Sequence, residues 1–118
     1  MAANDHQQTY RVVIDRLVRA CQEGQGQIGP RRVREGIWNG EATAGSMPDQ
    51  HAVNEALARM TAGDREVVAG LLMETFIAGV HETLVVLHAE QVAPFEDGYE
   101  GTPFHDFVGR LGGWPWPE

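Results

Sequence analysis

The 118-residue sequence predicts an all-α fold: a compact domain of four to five helices around a buried central helix at about 62–91. Three observations lead there. Apolar residues recur at three- and four-residue steps in several segments, and no run alternates apolar with polar as a half-buried strand does. The stretch Thr61–Gln91 is apolar nearly all round, which marks a helix that belongs inside a protein. Thr102-Pro103 and Pro48 stand where periodic segments begin, and proline suits the first helical position.

In chain order, residues 1–8 are polar and are expected to be disordered. From Thr9 to Glu23, Tyr10, Val13, Ile14, Leu17, Val18 and Cys21 form one apolar stripe, with Arg11, Asp15, Arg16 and Arg19 opposite. Gly24 is the natural stop. Gly24-Gln-Gly-Gln-Ile-Gly-Pro30 reads as a loop, and it lacks the Gly-Lys-Ser/Thr end of a phosphate-binding loop. Pro30 opens a short helical turn through Glu35, and Ile37 and Trp38 anchor the chain over the core. Asn39 to Ser46 is a second loop. Pro48 then starts a short helix carrying Val53, Ala56, Leu57 and Met60 and running to about Arg59.

Thr61 caps the central helix, with Asp64 and Glu66 placing negative charge at its positive end. Val67, Leu71 and Val85 fall on one side, Leu72, Phe76 and Leu87 on another, Met73 and Leu84 on a third. Glu74, His81 and His88 form the one polar line. A mid-helix glycine costs about 1 kcal/mol relative to alanine, so Gly79 is where this helix could divide, into roughly 62–78 and 80–91. Residues 92–101 make an acidic, turn-rich connector. Thr102-Pro103 opens a last helix with Phe104, Phe107, Val108 and Leu111 on one face, ended by Gly112-Gly113. The tail Trp114-Pro-Trp-Pro cannot be helical, and its large apolar area predicts docking on the body, or failing that on a partner.

Composition narrows the function. The lone Cys21 permits no internal disulfide and favours a cytoplasmic location. The N-terminus lacks the basic and apolar regions of a signal peptide. Glu74, Thr75, His81 and Glu82 interrupt the central helix, so no membrane span is expected. The net charge of -8 is uneven. Residues 1–36 carry six Arg against four acids, and the remainder carries three Arg against thirteen acids. Such a chain repels phosphate backbones, so no nucleic-acid partner is expected.

At Gly79-Val-His-Glu-Thr-Leu-Val-Val-Leu-His88, and at the ending His105-Asp-Phe-Val-Gly-Arg110 with Trp114-Pro-Trp-Pro117, the chain resembles a family of short bacterial proteins classed as a domain of unknown function. The resemblance covers the last forty residues and, loosely, the first helix with its Arg-rich sequel. It implies a small bacterial cytoplasmic domain and no particular activity.

The candidate chemistry lies in His81, Glu82, His88, His105 and Asp106, with Glu74, His81, His88 and His105 as metal-ligand candidates. Seven helical residues span about 10.5 Å, whereas two nitrogens on one zinc lie within roughly 4 Å of each other. His81 and His88 therefore cannot readily share an ion, and no cofactor is expected. The competing reading makes these groups a structural network that fixes helix register. Trp114, Trp116, Arg31, Arg32 and Arg34 are the partner-binding candidates. The leading expectation is a non-enzymatic protein-interaction module with a basic partner, an immunity-type inhibitor being one concrete form. A second copy of the chain is another candidate partner. The alternative is a small metal-dependent enzyme using His81, Glu82, His88 and His105.

Overall fold

The computed structural model describes residues 2–99 and 101–117. Among them the fold is all-α: α1 (Ala2–Gln22), α2 (Gln25–Glu35), α3 (Pro48–Ala58), α4 (Ala62–Ala89) and α5 (Pro103–Leu111). Helix α1 starts seven residues ahead of the expected Thr9. The cause of that difference is plain: the side chains of His6 to Thr9 are solvent-exposed, so no apolar stripe marks these turns.

Helix α2 corrects the expected loop at 24–30. Its glycines are contact points in a helix. A Cβ at Gly26 would come within 2.7 Å of the Cys21 carbonyl oxygen and 2.9 Å of the Phe76 ring. Only glycine lets α2 approach the end of α1 and the flank of α4 so closely. The helix ends where expected, at Gly36, whose φ of 79° is left-handed.

The caps predicted for the last two helices are present. Thr61 Oγ1 accepts from the Asp64 amide at 3.0 Å, and Thr102 Oγ1 accepts from the His105 amide at 3.2 Å. Helix α4 runs unbroken through Gly79. With 28 residues and apolar side chains on both flanks of the glycine, packing outweighs a propensity cost of about 1 kcal/mol.

Two hydrophobic clusters share α4 as their strut. One gathers Tyr10, Ile14, Val18 and Cys21 of α1 with Leu84, Phe95 and Phe107. The smaller one joins Val33 of α2, Leu57 of α3 and Ala69, with Trp38 and Leu72 packed against it. Because the clusters sit at successive stations along one helix, the molecule is elongated, 57 × 28 × 21 Å. Its radius of gyration is 18.3 Å, where a domain of this length typically has about 13 Å.

The expected burial of the central helix is corrected. Only Ala69 and Leu84 of α4 are fully buried. The inward face, with Val68, Leu72, Phe76, Ile77, Val80 and Leu87, packs on the clusters. The outward face does not: Val67 is 64%, Leu71 57% and Val86 51% exposed. The other helices are too few and too short to wrap a rod of about 42 Å. By length and composition α4 could also cross a membrane, so the sequence-level exclusion of a span does not hold on those grounds alone.

Candidate functional site

Asp106 is the one buried charged side chain among the described residues, 6% exposed at the first turn of α5. Its Oδ2 accepts from the Tyr10 hydroxyl at 2.6 Å and from the Tyr99 amide at 2.7 Å. Thr102-Pro103 fixes the start of α5, and Gly98 lets the preceding loop lie against it. A Cβ there would fall 2.6 Å from the Thr102 carbonyl carbon. Burial, then the hydrogen bond to Asp106 and its charge, hold the Tyr10 hydroxyl well above its ordinary value of 10.0. The hydrogen bond from this phenol to the buried Asp106 side chain ties α1 to α5.

The histidines do not converge. His88 Nδ1 lies 3.2 Å from the Phe95 carbonyl oxygen, and its ring meets Phe104 edge-on at 6.0 Å. His81 contacts the same Phe104 ring at 5.3 Å. His105 is exposed, beside Trp114 at 6.4 Å. Glu74 and Glu82 are exposed on α4. No group of three or more His, Cys, Asp or Glu among the described residues is placed to hold a metal ion. His81 and His88 thus share the Phe104 ring, while His105 stands apart beside Trp114. Asp106 serves Tyr10 and Tyr99.

The tail closes on the body. Trp116 Nε1 donates to Asp15 Oδ2 at 2.9 Å, and Arg110 Nε donates to the other oxygen, Oδ1, at 2.8 Å. Arg11 donates to the Pro117 carbonyl at 2.7 Å and lies over the Tyr99 ring at 4.3 Å. Trp116 is therefore an intramolecular clasp, whereas Trp114 stays 57% exposed. Of the arginine cluster, Arg34 pairs with Glu66 at 2.9 Å and Arg32 lies over Trp38 at 5.7 Å, while Arg31 is exposed.

A small cleft of about 10 Å³ under the tail is lined by His105, Asp106, Arg110, Trp114 and Trp116, without His81 or His88. A larger one of about 300 Å³ is lined by His6, Gln7, Tyr10, Pro94, Asp97 and Tyr99; another of about 360 Å³ lies along Arg16, Arg19 and Glu23. The feature that sequence reasoning missed is the outward face of α4. Val67, Leu71, Ala78 and Val86 stand exposed along it, with Asp64, Glu74, Glu82 and Glu90 interspersed and also exposed. A signal for it existed. The chain has one helix that is apolar all round and no other long apolar helix to cover its second side.

The family of the chain follows from comparison with known proteins. A model of the family described as "Family of unknown function (DUF6547)" matches residues 3–118, and the chain belongs to that family. The resemblance noted in the last forty residues therefore extends over nearly the whole chain. No curated protein and no solved structure matches it.

Proposed function

We propose that this DUF6547 chain is a non-enzymatic protein-interaction module that works by burying the outward face of α4 against another protein surface. The observation that carries the reading is the exposure of Val67, Leu71 and Val86 on the most apolar helix of the molecule. The accessible surface supports it: the chain exposes 7545 Å², roughly 1,200 Å² more than the ~6,300 Å² typical of a folded monomer of its mass. Part of that excess reflects the elongated shape, and part is the uncovered apolar side chains of α4, the kind of exposure that marks an interaction site. The placement of His81 and His88 against Phe104 and of His105 against Trp114 supports the same reading against the metal-dependent enzyme.

A protein surface suits this face better than a bilayer. Glu74 and Glu82 lie near the middle of α4, where an acidic side chain in hydrocarbon costs about 2.5–3.5 kcal/mol. The opposite face is already packed on α2 and α5. The test is the native size of the tagged protein in a lysate of its source cell. The reading expects a species larger than the 13.0 kDa chain that collapses to the free size in a Leu71→Glu, Val86→Glu variant. Elution of the unmodified protein at the free size would contradict it.

A further inference from the structure

Resting on that interaction reading, we infer that the occupant of the outward α4 face is a second copy of this chain, with the two α4 helices antiparallel. The argument starts from area. Helix α4 has 28 residues, so it is about 42 Å long, and a third of its circumference comes to roughly 600 Å² of accessible surface. Two copies would hide some 1,200 Å², the lower limit for a stable, specific interface. Each copy contributes roughly 600 Å² of that, about half of the surface the isolated chain carries in excess. Exposure built into every copy calls for a partner present whenever the chain is, and another copy is always present in equal amount.

The face also complements itself. In an antiparallel pair the same flank of each copy meets, so Leu71 and Ala78 line the middle of the contact, with Val67 and Val85 on one flank and Val86 on the other. Glu74 and Glu82 lie among these residues. A Cβ built at Gly79 meets nothing within 4 Å, and Ala78 beside it is exposed, so small residues lie along this part of the face. The contact is isologous and closes on itself, giving a dimer and not a chain of copies. The acids along the face still repel at longer range, and salt screens that repulsion beyond about 8 Å. Dimerisation should therefore tighten as salt is added, the opposite of what a basic partner bound to the same acids would show.

Sedimentation equilibrium of the purified chain tests this, at about 100 µM protein and at two salt concentrations. The expected result is twice the 13.0 kDa chain mass, with the dissociation constant falling several-fold in higher salt. Leu71→Glu and, separately, Val67→Glu should each sediment as monomers, with an unchanged helical circular dichroism spectrum. Both side chains are more than half exposed in one copy, so neither change disturbs the fold of the chain itself. A wild-type monomer at this concentration overturns the proposal, as does a dimer indifferent to both substitutions. Flotation of the wild type with phosphatidylcholine vesicles in place of dimerisation also overturns it, by making lipid the occupant. A purified monomer that is nevertheless part of a larger, Leu71-dependent species in lysate defeats the second copy alone and leaves the interaction reading standing.

Discussion

The Tyr10 hydroxyl donates to the Asp106 carboxylate at 2.6 Å across 96 residues of sequence, joining the first helix to the last. Both groups are buried, so removing the donor takes one hydrogen bond from a poorly solvated carboxylate that still accepts from the Tyr99 amide. Tyr10→Phe should lower the unfolding free energy by about 1–3 kcal/mol, read from denaturant titration.

The same pair sets a pH dependence. The folded Tyr10 hydroxyl titrates above 10.0, mainly because burial disfavours its anion and then because Asp106 does. The unfolded tyrosine ionises near that ordinary value, so above it the unfolded chain binds fewer protons than the folded one. The stabilisation is fully present below pH 10 and is lost as pH rises toward the raised value. Denaturation midpoints measured from pH 8 to 11 should fall at the alkaline end for the wild type and fall less for Tyr10→Phe.

Gly26 and Gly79 should respond in opposite directions to alanine. At Gly26 the new methyl meets the Cys21 backbone and the Phe76 ring, and forcing α2 away should cost about 1–3 kcal/mol. At Gly79 it meets nothing within 4 Å, and helix propensity should add about 1 kcal/mol. Chemical denaturation of the two variants checks the contrast at a concentration low enough to keep the chain monomeric.

These glycines also show what was legible in the sequence and what was not. Caps at Thr61 and Thr102 and the stripes of α1 and α5 depend on neighbours three or four positions away, so the sequence displays them. Gly26 looked like a loop residue because its reason for being glycine is Phe76, fifty positions later. The side chains of His6 to Thr9 are exposed and therefore left no apolar pattern. The apolar circumference of α4 was plain, but periodicity does not count the neighbours available to cover it, and so it implied burial that one copy does not achieve. At the candidate site, the residue types were readable while the rings they pack against, Phe104 for His81 and His88 and Trp114 for His105, were not.

Asp15 holds the tail through Trp116 and Arg110. Its side chain is about a third exposed, so the ion pair contributes modestly and solvent screens it. Asp15→Ala should cost about 1 kcal/mol and free the tail. In a background with Trp38→Phe and Trp114→Phe, emission from Trp116 should shift to the red. Unchanged emission would show that ring packing against Tyr10 and Tyr99 alone holds the clasp.

The histidines should behave as packing groups. Adding equimolar zinc to the protein should leave its melting temperature unchanged, and His81→Gln, His88→Gln and His105→Gln should not alter that response. A stabilisation by zinc that any one of these substitutions abolishes would place a metal site where the rings around Phe104 now argue against one.

The central claim is that the outward face of α4 is completed by a second copy. Melting temperature against protein concentration tests it most directly, because a fold linked to association gains stability as concentration rises. From about 1 to 200 µM the wild type should melt progressively higher, while Leu71→Glu should melt at one temperature throughout. A wild-type melting temperature independent of concentration, equal to that of Leu71→Glu, would contradict the account.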